Sequence, residues 1–153
     1  MKKIIFPLVM VVITLSCNTQ NTNTGEAMNS RRVITFDDTP AKRPHSPAIE
    51  VNNMLFVSGQ IGRVPGTENL AEGGITGETR QVLENLKRVV ERAGYKMEDI
   101  SACTVLLSDI AFFNEMNQVY MEYFPVDPPA RKAFAVKDLP GGALVEIDAI
   151  AVR

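Results

Sequence analysis

Two short stretches decide how this chain folds: PPARKAF at residues 128–134 and VEIDAIAVR at residues 145–153. The first places Arg131 just after a rigid Pro-Pro pair, at the start of a predicted strand. The second alternates two sets of side chains with period two, which predicts a strand that carries Glu146 near its start. We expect these strands to be neighbours, so that Arg131 and Glu146 form either an ion pair or a site for a small carboxylate and a water molecule.

Working outward, the chain predicts an α+β fold in the order strand, hairpin, helix, strand, helix, strand, strand. Beyond the two stretches above, strands are predicted at residues 32–36, 48–51, 54–58 and 100–107, and helices at residues 76–93 and about 109–124. Two long helices beside a mixed sheet pack on one of its faces. The last strand is partly apolar on both sides, so we expect the uncovered face to bind other copies in a homo-oligomer.

Composition narrows the classes of function. The 153 residues suit one domain, and the 16 Lys and Arg residues are balanced by 18 Asp and Glu residues, with no basic face for nucleic acid. Two cysteines are too few for a disulfide scaffold, and one histidine, His45, with no ligand spacing around it argues against a metal site.

The first residues have the pattern of a secretory signal. Lys2 and Lys3 precede an apolar run over 4–15, and Ser16 stands before Cys17. This predicts a signal over residues 1–17 with Cys17 as a lipidated lipobox cysteine, although Thr14 departs from the usual leucine; a plain signal peptide or an unprocessed start are the alternatives.

The segment that follows is small and polar, which predicts a flexible tether over residues 18–30 ahead of a folded domain over 31–153. We therefore expect an exported protein, lipid-anchored to a bacterial membrane on its periplasmic or surface side. A cytoplasmic location is expected if the signal is not used.

Five motifs, in order along roughly residues 32–153, resemble the RidA family, also known as YjgF and endoribonuclease L-PSP. They are FVSGQI (56–61), the helix from Gln81 that ends RAG (92–94), NQVY (117–120), PAR (129–131) and VEIDAIA (145–151). The resemblance implies a chorismate-mutase-like fold, a homotrimer and ligand clefts between subunits. It further implies hydrolysis of 2-imino acids, or their enamine tautomers, to 2-keto acids and ammonia, without a cofactor.

Carried over by position, the resemblance assigns Arg131 to the substrate carboxylate and Glu146 to the attacking water. A guanidinium suits the first role because it offers two parallel donors and stays charged. Ser58, Gly59 and Asn117 match residues that line the pocket. Tyr120 falls on the apolar stripe of its helix, which predicts that it packs in the core.

Two positions depart from the family pattern. His45 stands where active members carry a pocket tyrosine, and Ala133 stands where they often carry a cysteine. Ala133 keeps only backbone groups for a ligand. His45 is either a hydrogen-bond donor and general acid toward the departing ammonia or a solvated loop residue.

Three functions follow from these residues. The first is imine hydrolysis by Arg131, Glu146 and His45. The second is a non-catalytic protein that binds keto acids or other small carboxylates in the same cleft, which the two departures and the predicted export favour. The third, cleavage of RNA, is the weakest, since the chain has neither paired histidines nor a basic groove.

Overall fold

The computed structural model describes residues 30–36 and 44–153, and its six strands form one mixed sheet. The strands are β1 (Arg31–Ile34), β2 (Ala48–Val51), β3 (Met54–Ile61), β4 (Ile100–Leu107), β5 (Ala130–Ala135) and β6 (Val145–Val152). The helices are α1 (Gly74–Arg92) and α2 (Phe113–Tyr123), with 3-10 turns at Met97–Asp99, Ile110–Phe112 and Pro140–Gly142. The element order is therefore the one predicted from the sequence.

The predicted signal with Cys17, most of the tether and residues 37–43 of the first loop lie outside the described residues. Within the described ranges, no helix is long and apolar enough to cross a membrane.

Local sequence signals account for the hairpin and for the start of α2. Asn52 and Asn53 join β2 to β3 with φ angles of 51° and 62°, a conformation that asparagine tolerates better than most residues. At the second helix, the Asp109 carboxylate accepts a hydrogen bond from the Ala111 N–H at 2.9 Å and caps the 3-10 turn that leads into α2.

The sheet has one covered face and one open face. On the covered face, β6 contributes Val145, Ile147, Ala149 and Ala151, which are at most 2% exposed and share a core with both helices. On the open face, large apolar side chains of the outer strands and of β3 and β6 are 36–46% exposed in the single chain: Val33, Met54, Phe56, Phe134 and Val152. The prediction of two helices on one face is confirmed.

The strand order differs from the simplest expectation. It runs β1-β2-β3-β6-β4-β5, with β4 and β5 parallel and all other neighbours antiparallel. Because α2 returns the chain to the outer edge of β4, the last strand inserts between β3 and β4 rather than beside β5. The expectation that Arg131 and Glu146 lie on neighbouring strands is wrong, and no ion pair joins them.

Side-chain hydrogen bonds fix the helices against each other. Arg80 of α1 and Glu122 of α2 form an ion pair at 2.6 Å, and the Tyr123 hydroxyl donates to Glu84 at 2.6 Å. These contacts fix the position of α2 relative to α1. The residues of α2 that face β5 are therefore positioned by the packing of both helices.

Candidate functional site

Glu146 lies against a bulge in β3. The pairing of β3 with β6 shifts register between Val57 and Gln60, which leaves Ser58 and Gly59 as the irregular residues. A Cβ built on Gly59 would collide with Oε1 of Glu146. Glycine at position 59 therefore makes room for the carboxylate, and the structure brings these two predicted site residues together.

The segment before β2 is held against the same bulge. The Ser58 hydroxyl donates to the carbonyl of Ser46 at 2.7 Å, and the Ser58 N–H donates to the carbonyl of Pro47 at 3.0 Å. A cavity of about 390 Å³ opens beside these bonds, and its lining includes His45 and Ser58 together with Arg31, Pro44, Ser46, Ile49, Phe56 and Val57. We call His45, Ser58, Gly59 and Glu146 the Glu146 group.

The electrostatic environment of Glu146 favours its role as a proton acceptor. Partial burial raises the pKa of Glu146 above its ordinary value, the Asp148 carboxylate acts in the same direction, and His45 acts in the opposite direction. A carboxylate with a raised pKa accepts a proton from water more readily than an ordinary one, which is what a general base requires. Asp148 was not singled out from the sequence, although its position two residues after Glu146 puts both on one side of β6.

Arg131 stands at the start of β5 over two aromatic rings of α2. Its guanidinium carbon lies 4.5 Å from the ring centroid of Tyr120 and 5.8 Å from that of Phe113. The side chain is exposed and, among the described residues, it makes no hydrogen bond or ion pair. Its N–H donors are therefore free to bind an anion.

Two buried polar atoms lie on the same helix as these rings. Oδ1 of Asn117 and the hydroxyl of Tyr120 have no hydrogen-bond partner among the residues that the structure describes. Phe113, Asn117 and Tyr120 are four and three residues apart, which places them on one face of α2. Ala133, two residues beyond Arg131, packs against the core. We call Phe113, Asn117, Tyr120 and Arg131 the Arg131 group.

The two groups face opposite sides of the sheet. Arg131 is paired in register with Cys103, which is buried on the helix-covered face. Glu146 lies between Val145 and Ile147, both fully buried on that covered face, so its side chain points to the open face. Within one chain, a small acid cannot touch Arg131 and Glu146 at the same time.

No metal cluster accompanies either group: in residues 30–36 and 44–153, no three His, Cys, Asp or Glu side chains are arranged to hold an ion.

Comparison with known proteins decides the family. The model of the family described as endoribonuclease L-PSP matches residues 36–153, more than half of the chain. The chain belongs to this family. L-PSP is the older name of the RidA family, so the resemblance drawn from the five motifs is confirmed.

Relatives of this L-PSP protein match most of its length. It is 47% identical to a RutC family protein of Pyrococcus horikoshii over 80% of this chain and 98% of the relative. It is 40% identical to the human 2-iminobutanoate/2-iminopropanoate deaminase over 80% of this chain and 90% of the relative. The crystal structure of RidA from the Antarctic bacterium Psychrobacter sp. PAMC 21119 superimposes with a TM-score of 0.74 at 36% identity, covering 80% of this chain and 99% of that one.

The two departures of this chain from the family pattern lie in different parts of the site. His45 lines the cavity beside Ser58, and Ala133 lies two residues after Arg131 on β5. Phe113 of the Arg131 group was not singled out from the sequence. The sequence signal that could have identified it is its spacing from Asn117 and Tyr120, which puts all three side chains on one face of the helix.

Proposed function

We propose that this L-PSP family chain hydrolyses 2-imino acids, or their enamine tautomers, to 2-keto acids and ammonia. The observation that supports this most is that Arg131 is exposed and makes no hydrogen bond or ion pair with the described residues, while Glu146, whose pKa is raised, faces the other side of the sheet. The family membership and the 40% identity to a human protein of that named activity support the choice of reaction.

The active site we propose is formed between copies of the chain. The open face carries exposed Phe56, Phe134 and Val152, whose burial against other copies would stabilise an oligomer. A cyclic trimer repeats one heterologous contact three times, so the Arg131 group of one copy can meet the Glu146 group of the next. In this arrangement each substrate molecule contacts both the Arg131 group and the Glu146 group. A single chain cannot provide both, because the two groups lie on opposite faces of its sheet.

The chemistry in this arrangement needs positioning, a base and a proton donor. Arg131 binds the substrate carboxylate through two parallel N–H donors and fixes the adjacent imine carbon. Glu146 accepts a proton from water as the water oxygen bonds to that carbon and the C=N electron pair moves to nitrogen, which takes up a proton. The C–N bond of the resulting carbinolamine then breaks as its hydroxyl oxygen gives up its proton and forms the keto C=O bond, while the nitrogen takes up a second proton and leaves as ammonia. His45, at the rim of the Glu146 group, is the proposed proton donor to the departing nitrogen.

A second candidate function is binding of 2-keto acids without catalysis. It is favoured by the two departures, because Ala133 supplies no thiol and His45 replaces a tyrosine hydroxyl. The Arg131 group would serve this function unchanged. We further propose, from the N-terminal pattern alone, that the protein is exported and lipid-anchored.

Turnover separates the two functions. We would generate 2-iminobutanoate from 2-aminobutanoate with an amino-acid oxidase and follow the release of 2-oxobutanoate with and without the purified protein. The expected result is acceleration that scales with protein concentration, since the imine carbon is already electrophilic and needs mainly a positioned water. Calorimetric binding of 2-oxobutanoate without any acceleration would favour the binding function instead.

A further inference from the structure

The support beneath Arg131 consists of aromatic rings rather than carboxylates. Tyr120 is 3% exposed and its ring packs on Phe124 with 4.7 Å between the ring centroids, so its position is fixed by the core. The Arg131 guanidinium lies over the outer face of this ring at 4.5 Å. Arginine is attracted to such a face by the ring quadrupole, and the planar guanidinium stacks on it.

This support has a different consequence from an ion pair. A carboxylate would hold the guanidinium by accepting its N–H donors and would cancel its charge. A ring attracts the positive charge without accepting the N–H donors in plane, so a guanidinium that lies over a ring keeps its donors available for another partner. Among the described residues, no hydrogen bond or ion pair restrains this long side chain, and Phe113, at 5.8 Å, is the second ring beside it.

We propose that Tyr120 is a positioning residue that presents the free guanidinium edge of Arg131 to the substrate carboxylate, with its ring rather than its hydroxyl. The substrate part of this inference rests on the proposed function, because it assumes that Arg131 binds the carboxylate. Within the described part of the chain the hydroxyl has no hydrogen-bond partner, and the polar group near it is the Cys103 thiol, which is a weak acceptor. Burial raises the pKa of Tyr120, so the phenol stays neutral and the ring face keeps its character across the working pH range.

Two substitutions of Tyr120 distinguish the contribution of its ring from that of its hydroxyl. In Tyr120→Phe the ring remains, so the KM for 2-iminobutanoate and the affinity for 2-oxobutanoate should stay within about twofold of wild type. In Tyr120→Leu the ring is lost, so KM should rise about tenfold while kcat changes less, because carboxylate binding is weakened more than the chemical step. A purely structural role would instead lower the amount of folded protein without moving KM.

A measurement on the free protein tests the same contact without a substrate. Relaxation of the ¹⁵Nε–¹H group of Arg131 in solution reports how firmly the guanidinium is held. We expect an ordered group in wild type and Tyr120→Phe and a mobile one in Tyr120→Leu. This readout stands even if the protein hydrolyses no imine, so failure of the proposed function is distinguishable from failure of the positioning role.

Three results would overturn the proposal. The first is a folded Tyr120→Leu protein in which both the order of Arg131 and the KM are the same as in wild type. The second is an equal loss in Tyr120→Phe and Tyr120→Leu, which would place the effect in the hydroxyl. If Tyr120→Leu does not fold, the wild-type protein alone still tests the contact, and a mobile Arg131 Nε–H group in wild type is the third contradicting result.

Discussion

Arg131→Ala is expected to lower kcat/KM for 2-iminobutanoate by roughly 30- to 4,000-fold. The estimate takes about 2–5 kcal/mol for loss of one partner of a hydrogen-bonded charge pair, at about 1.4 kcal/mol for each tenfold. Because Arg131 is exposed and its side chain makes no hydrogen bond within the described part of the chain, its removal should leave the fold intact. Steady-state kinetics with the coupled oxidase assay measure the loss, and circular dichroism checks the fold.

Two further substitutions sharpen this experiment. Arg131→Lys keeps the charge but not the two-donor fork, so its kcat/KM should fall between wild type and Arg131→Ala. Lys137→Ala removes one positive charge from an exposed residue just beyond β5 and should behave as wild type. Near wild-type activity in a folded Arg131→Ala protein would show that Arg131 does not bind the substrate.

Glu146→Gln should lower kcat by roughly 100- to 10,000-fold with a smaller change in KM, as expected for loss of a general base. The amide occupies nearly the same space over Gly59 but cannot accept a proton from water. Glu98→Gln, an exposed change of the same kind in the turn before β4, is the matched control. An unchanged kcat would show that another group activates the water.

The pH profile follows from the raised pKa of Glu146. The carboxylate form is the active one, so kcat/KM should fall as pH drops through this pKa, at a higher pH than an ordinary glutamate would give. Asp148→Asn should move this acid limb to lower pH, because it removes a neighbouring negative charge. Since the folded-state pKa is raised, ionisation of Glu146 disfavours folding as pH rises through it, and Glu146→Gln should be at least as heat-stable as wild type at neutral pH.

Local signals in the sequence predicted the elements well because each has a short-range cause. Asn52-Asn53 specifies the hairpin, and the apolar spacing along 76–93 specifies α1 to within two residues at its start. The alternation along 145–152 correctly separated the buried side of β6 from the side that carries Glu146.

Pairing between distant strands has no such local cause. The insertion of β6 between β3 and β4 depends on where α2 returns the chain, so the predicted pairing of the Arg131 and Glu146 strands was wrong. The position of Arg131 over the ring of Tyr120 likewise depends on how α2 lies over β5. The motifs named the predicted site residues, but the structure was needed to divide them between the two faces of the sheet.

The central claim, that each site takes its arginine and its glutamate from different copies, is tested most directly by mixing the two inactive variants. We would unfold Arg131→Ala and Glu146→Gln proteins together in equal amounts, refold them, and compare the kcat of the mixture with that of each variant treated alone. In a trimer assembled at random, about a quarter of the sites pair an intact Arg131 with an intact Glu146, so about a quarter of the wild-type activity should return. A mixture as inactive as its two components, in oligomers shown by mass spectrometry to contain both chains, would contradict the claim.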